Sequence, residues 1–287
     1  KINTKSYKSI LSETELNKLI KKSNEKSVIA VDTETSSLNP READLIGISI
    51  SYDKNESFYI PLGHRDVKGL KKDLVLNKLK TILEDPSIKK VCQNTKYDFL
   101  VFKNHGVELN PIEDTMLLSY TLDAGNNRHN MDILSEIHLG HKTISYKDLV
   151  GTGKKQINFS DVDLKSATEY AAEDADVTLR LYNILSERVS EEKLDKIYEI
   201  FEKPMIKILS KLETNGIKVD DIYLKKLSKK FEERLIKIEK EIYKISGKKF
   251  NIGSPKQLGE IIYNDLKIAK LKKTKKGSLA TNAKILE

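Results

Sequence analysis

Residues 28–38 read VIAVDTETSSL. The first five, VIAVD, are a short β-branched run of the kind that makes a buried strand, with acids at its end. Asp32 and Glu34 are two apart, so on an extended chain both carboxylates project from one face. Adjacent carboxylates repel, and a cation bound between them relieves the repulsion. Taken alone, such a pair also suits a plain solvated strand end. Outward from this strand, IGISISY (46–52) alternates apolar and small polar residues, and SFYIPL (57–62) follows the turn DKNE. Three strands joined by short connections predict an antiparallel meander. A helical stripe at 74, 75, 79, 82 and 83 stops at Pro86. IKKVCQ (88–93) reads as a further strand and KYDFLVFKNHG (96–106) as a helix closed by Gly106. More helices are expected over 114–123, 129–139 and from about Leu164 to about Val189. No Gly-rich turn follows the first strand, so the expectation is α/β with a mixed β-sheet flanked by helices, not a doubly wound fold.

Two further segments carry acids in suggestive places. In QNTKYDFL (93–100), Asp98 lies early in a helix that follows a strand, beside the turn residues Asn94 and Thr95. A first-turn acid is also favoured by the helix dipole alone. In EYAAEDADVTLRLY (169–182), Tyr170 and Asp174 are i and i+4 and share a helix face. Glu173 and Asp176 are expected on a solvated face, with Asp176 paired to Arg180.

Composition narrows the classes. With 38% hydrophobic and 33% charged residues among 287, the chain can bury a sizeable core in one large or two ordinary domains. No apolar stretch approaches the roughly 20 residues of a membrane span, and the first ten residues lack a secretory signal. A cytoplasmic protein is expected. The lone Cys92 excludes an intrachain disulfide and a Cys-based zinc cluster, and it reads as structural filler. The five histidines (64, 105, 129, 138, 141) show no ligand spacing. Net charge is +8, unevenly spread: 27 basic side chains face 28 acidic ones up to residue 190, against 24 and 15 beyond it. The excess is densest at Lys267, Lys270, Lys272, Lys273, Lys275 and Lys276. Such a run either tracks a phosphate backbone or is a solvated Lys-rich loop.

From 191 the character changes to two long amphipathic helices, closed by Gly216 and Gly247, with a short strand expected in GIKVD between them. SPKQLGEIIYNDL (254–266) begins with a Ser cap and Pro in the first turn. TNAKILE (281–287) reads as the first turns of another helix, as in a truncated chain.

No single piece decides the function, but the ordered set does. D-x-E at a strand end, N-x-x-x-D, then Y-x-x-x-D on a late helix resembles the three motifs of the DEDD exonuclease superfamily, tyrosine branch. AVDTETSSL, KVCQNTKYD, EDTMLLSYTLDAGNNRHNMDILSE and YAAEDADVTLRLY resemble the 3′–5′ proofreading exonuclease domain of the family A bacterial polymerases. The resemblance implies a ribonuclease H-like exonuclease domain over 1–190 and the mostly α-helical, truncated start of a polymerase domain, its thumb helices, over 191–287. It implies two divalent metal ions, Mg²⁺ with Mn²⁺ able to substitute, held by Asp32, Glu34, Asp98 and Asp174. Tyr170 is implied to hold the attacking water, Leu38 to wedge against terminal bases, and Tyr146 to stack on the 3′-terminal nucleotide. Asn94 and Arg128 match polar positions near the scissile strand. The implied partners are DNA with a single-stranded or frayed 3′ end and the remainder of the polymerase domain in the same full-length chain. The implied setting is the nucleoid-associated cytoplasm, with no membrane, as a monomer. Two alternatives stand beside this: a ribonuclease D-like 3′–5′ exoribonuclease, which the polymerase-like tail opposes, and a non-catalytic DNA-binding clamp, which four intact acids oppose. Polymerase activity is not expected, since no second acidic metal site occurs after 190.

Overall fold

A run of Val, Ile and Ala before the acids makes an inner strand of the sheet. The computed structural model describes residues 2–268, 273–274 and 277–283. In chain order the elements of its first part are β1 (Lys8–Ser9), α1 (Glu13–Asn24), β2 (Val28–Thr35), β3 (Leu45–Asp53), β4 (Glu56–Pro61), α2 (Lys72–Leu83), β5 (Lys89–Cys92), α3 (Thr95–Asn104), β6 (Ile112–Asp114), α4 (Thr115–Asp123), α5 (Met131–Leu139), α6 (Tyr146–Val150) and α7 (Leu164–Glu191). The six strands form one sheet in the order β1-β4-β3-β2-β5-β6. β2, β3 and β4 are the expected antiparallel meander, while β5 runs parallel to β2, β6 parallel to β5, and β1 parallel to β4. The sheet is therefore mixed.

Strand alternation sorts the two faces. Ile29 and Val31 of β2 and Ile48 and Ile50 of β3 join Leu16, Leu19, Val75, Leu79, Ile82 and Phe102 from α1, α2 and α3 in one apolar layer. The opposite face of β2 carries Asp32 and Glu34, and their cross-strand partners on β3 are Ser49 and Gly47. Small residues here have a purpose: α7 lies against β2, β3 and β4 on this face, and its buried residues include Ala167, Ala171, Ala172 and Ala175, the first two clustered with Ile46 and Tyr59. At Gly47 a Cβ would fall 2.1 Å from the Tyr59 hydroxyl. The alternation of apolar and small polar residues in IGISISY thus serves two different packings. Ser49 and Ser51 are fully buried rather than solvated.

α7 is a single 28-residue helix, capped by the Asp163 side chain on Ser166 N–H. Beyond the sheet it packs against α4 and α5 through Val177, Leu181, Leu185 and Leu134. Cover on all sides overturns the solvated face expected for Glu173 and Asp176, which are 1% and 0% exposed. Burying a carboxylate is tolerable when its lone pairs are filled. Asp176 accepts from Arg180 at 2.9 and 3.0 Å, from the Tyr7 hydroxyl at 2.8 Å and from Asn55 N–H at 3.2 Å. Glu173 accepts from Ile144 N–H at 2.6 Å and contacts His141 Nε2 at 2.8 Å.

After α7 the chain continues as α8 (Asp195–Ile197), a π-helical turn (Tyr198–Glu202) and α9 (Lys203–Asn215). These pack against α3, α4 and the β6 edge of the sheet. The Tyr198 hydroxyl donates to buried Glu113 on β6 at 2.9 Å, and Lys203 Nζ reaches the same carboxylate at 2.9 Å. By contacts, one compact unit spans Lys1–Gly216 and a second Ile217–Glu287.

In the second unit α10 (Asp221–Ser246) starts on an Asp220 cap to Tyr223 N–H and stops at left-handed Gly247, φ 70°. The strand expected in GIKVD is absent: residues 217–220 are irregular. α11 (Pro255–Glu260) has the expected Ser254 cap and first-turn Pro, and a π-turn (Ile261–Asp265) follows. Lys273 forms an isolated antiparallel bridge with Leu279. Lys270, Lys272, Lys275 and Lys276, and the end of the expected last helix at 284–287, lie outside the described residues. Among the described residues no helix is long and apolar enough to cross a membrane.

Candidate active site

Acids from two distant parts of the sequence meet where the C-terminal end of β2 passes under α7. A carboxylate oxygen from each of Asp32, Glu34 and Asp174 lies within 4.8 Å of the others. The strand supplies the first two through its two-residue period, and α7 supplies the third because small residues let it close on the sheet. Asp98, in the first turn of α3, is 2% exposed and accepts from the Thr33 hydroxyl at 2.6 Å. It is neither one of the three clustered acids nor part of the cleft lining, but the charge of Asp32 acts on it.

The electrostatics are those of a site short of positive charge. Burial, followed by the charges of Asp32, Asp174 and Asp98, pushes the Glu34 carboxyl well above the ordinary carboxylate range. Burial and then Asp32 raise Asp98 and Asp174 in the same direction. Asp32 is raised by burial to about 6. Among the described residues no Lys, Arg or His forms an ion pair with any of the four. Compare Asp176, fully buried and neutralised by Arg180. A carboxylate set this close, partly open to the cleft and without a protein cation, fits a hard divalent ion with oxygen ligands.

Tyr170 sits one turn before Asp174. Burial, and then the charges of Asp174, Glu34 and Asp32, hold its phenol far above the usual range, so it stays protonated. The cleft over the acids has a volume of about 450 Å³, and its walls include Leu38, Tyr97, Tyr146, Gln156 and Tyr170. Leu38 is 96% exposed on the loop after β2, an apolar side chain with nothing over it. That loop is tied down by Tyr97, whose hydroxyl donates to Ser37 O.

Of the residues singled out in the sequence, Asp32, Glu34, Asp174, Tyr170, Leu38 and Tyr146 share this cleft. Asn94 and Arg128 are not among its lining. Asn94 is exposed in a left-handed turn before α3, φ 66°. Arg128 borders a separate cleft with Met116, Tyr120 and His129. Thr33, Tyr97 and Gln156 were not anticipated. Tyr97 carried a usable signal, its position directly before Asp98, whereas Gln156 lies in a loop with no periodicity to read.

Comparison with known sequences fits this geometry. The family model described as 3′-5′ exonuclease matches residues 7–190. The chain belongs to the 3′-5′ exonuclease family. A second model, DNA polymerase family A, matches residues 221–287, beyond the exonuclease domain. The exonuclease is 42% identical over 283 residues to DNA polymerase I of Rhizobium leguminosarum, covering 91% of this chain and 28% of that protein. It is 38% identical to DNA polymerase I of Pseudomonas aeruginosa, covering 98% and 31%. The chain thus spans less than a third of the length of these curated relatives. Among solved structures, the POL domain of Pol1 from M. smegmatis, in complex with DNA primer-template and dNTP, aligns with a TM-score of 0.72 at 22% identity, over 97% of this chain and 44% of that one. Brucella melitensis NrnC bound to pGG aligns at 0.54 and 21%, over 76% and 96%. At these identities the likeness is one of fold. As an exonuclease the chain is an enzyme, and its acidic cluster is able to bind metal.

Proposed function

We propose that this exonuclease is the 3′→5′ proofreading module of a DNA polymerase I and releases nucleotides from DNA 3′ ends with two divalent ions, Mg²⁺ or Mn²⁺. The carrying observation is the convergence of Asp32, Glu34 and Asp174 in a cleft lined by Leu38, Tyr146 and Tyr170. Asp32, Glu34 and Asp174 would hold one ion, and Asp98, fixed by Thr33, would support a second beside them. When bound, divalent ions supply positive charge at the attacked phosphate and ease the ionisation of water.

The remaining work falls to the chain's own groups. Tyr170, protonated at all working pH, orients water through its hydroxyl and does not take its proton. Half-exposed Tyr146 offers a ring face to the terminal base, and stacking of this kind contributes about 1–3 kcal/mol per base whatever the sequence. Leu38 wedges against the bases, which favours single-stranded and frayed ends over paired ones. Without cations the acids repel phosphate, so DNA affinity here depends on metal. The match to the polymerase model after 221 supports DNA over RNA as substrate.

The test is release of mononucleotides from a 5′-labelled single strand in Mg²⁺ or Mn²⁺, with deoxyribo- and ribo-oligomers of one sequence compared. Replacing Asp32 and Glu34 together by Ala is expected to abolish release while circular dichroism stays native. Retained activity in that double variant would end the assignment, and preference for the ribo-oligomer would redirect it to RNA.

A further inference from the structure

One buried ring touches both tyrosines of the cleft. Phe159 is 1% exposed and lies in a short 3₁₀ turn (Phe159–Asp161), which Asn158 caps through Ser160 N–H. Its ring is parallel to that of Tyr146, with an interplanar angle of 2° and centroids 6.4 Å apart. It meets Tyr170 at 6.0 Å and 58°. Tyr146 and Tyr170 lie 5.9 Å from each other, so the three rings close a triangle. The corner holding Phe159 is fixed from behind. His64 meets it at 5.7 Å and Tyr59 at 6.4 Å. His64 Nε2 takes the Tyr59 hydroxyl at 2.8 Å, and its Nδ1 faces Val162 O at 3.2 Å. The turn is also pinned by Arg65, through its N–H to Ser160 O at 3.1 Å and its guanidinium to Asp161 at 2.9 Å.

Tyr146 and Tyr170 otherwise belong to separate elements. Tyr170 rides on rigid α7. Tyr146 opens α6, a five-residue helix after a loop whose hold on α7 is Glu173, through Ile144 N–H and His141. A phenol ring on so short an element needs a second support to keep its attitude.

We propose that Phe159 is a positioning residue for the exonuclease reaction, a shared plate that sets Tyr146 and Tyr170 at a fixed attitude to one another. The terminal base and the attacked phosphodiester belong to the same nucleotide, so an error in the angle between these rings moves one group as the other is seated. Aromatic pairs in offset or edge geometry hold orientation beyond what burial alone gives, with effects of about two- to tenfold per contact. The proposal rests on the reading above, in which Tyr146 takes the base and Tyr170 the water.

The test uses the full chain with Phe159→Leu and, against a Leu variant that melts early, Phe159→Met. Both fill most of the volume and remove the ring. Steady-state kcat and KM are measured in saturating Mg²⁺ on single strands ending in a normal nucleotide or in an abasic one. The parent chain is expected to favour the normal end, and Tyr146→Ala to erase that preference. Each Phe159 variant is expected to lose about fivefold of the preference, to lower kcat on the abasic end, and to add nothing to the preference lost in Tyr146→Ala. A merely structural role would slow both substrates equally and would multiply with Tyr146→Ala. That result, or folded Phe159 variants with preference and kcat intact, overturns the proposal. Should Tyr146→Ala itself leave the preference unchanged, the role of Tyr146 is wrong and the proposal falls with it. Should Tyr146→Ala erase it while the Phe159 variants keep it, the assignment of Phe159 alone is wrong.

Discussion

Removing a charge from the acid cluster should make the metal-free protein more stable. Asp32 is the informative position, since its carboxyl is raised from the ordinary 3.8 to about 6 and its charge also raises Glu34, Asp98 and Asp174. An acid with a higher pKa folded than unfolded holds its proton better in the folded state. Stability therefore falls as pH climbs from about 4 to about 6, and the full penalty remains above that. About two pKa units at 1.36 kcal/mol each amount to about 3 kcal/mol at pH 8. Since Asp32 opens partly onto the cleft, about 1–3 kcal/mol is the working range. Asp32→Asn keeps the shape and removes the charge. For a unit of this size 1 kcal/mol shifts the melting temperature by about 2–4 °C, so the variant should melt about 3–10 °C higher than the parent in chelator at pH 8. By pH 5 the gap should shrink by about half, because the folded parent is then mostly protonated at Asp32. Excess Mg²⁺ should reverse the order: the parent gains about 2.7 kcal/mol at a hundredfold excess over its dissociation constant, and the variant gains little. Scanning calorimetry with and without chelator at both pH values measures all of this. If Asp32→Asn melts at or below the parent in chelator at pH 8, the acids are not held together against their own repulsion, and the case for a cation site loses its physical basis.

Other outcomes follow from named contacts. Tyr170→Phe should slow nucleotide release about tenfold, the loss of one hydrogen bond to water, while Asp174→Ala should slow it about a thousandfold or more; equal losses in a single-turnover assay would mean Tyr170 does more than orient. Lys90 is fully buried with its ammonium on the carbonyls of Asp85, Ile88 and Asn110, so Lys90→Met should cost about 2–4 kcal/mol in urea unfolding by leaving those acceptors unpaired. Gly47→Ala places a methyl against the Tyr59 hydroxyl on the strand facing Glu34. It should lower stability by about 1–3 kcal/mol and reduce Mg²⁺ affinity, read by calorimetric titration; unchanged affinity would show that the acids do not depend on the close seat of the Tyr59 ring.

What could be read in the sequence depended on how local its cause was. The meander, α7 and the shared faces of Asp32 with Glu34 and of Tyr170 with Asp174 follow from periods of two and 3.6 residues, visible in one segment at a time, whereas the meeting of Asp174 with the strand pair was implied only by the family resemblance. β1 and β6 are two and three residues long, too short for any period, and exist only because neighbouring strands pair with them. α1 was missed although LSETEL announces it: Ser12 and Glu15 form a complete capping box. Glu173 and Asp176 were misread because an acidic residue's solvent depends on how many elements surround its helix, and no single segment encodes that. Phe159 was invisible for a similar reason, since its partners come from three other parts of the chain.

The contact between Glu113 and the helices after α7 bears on how this nuclease can be isolated. Glu113 is 2% exposed, and Lys203 and the Tyr198 hydroxyl supply two of its partners. Ending a recombinant fragment at 190, where the family match stops, would strip both and strand an anion against Lys89 alone at the sheet's last strand. Carrying the fragment through Gly216 keeps that edge sealed.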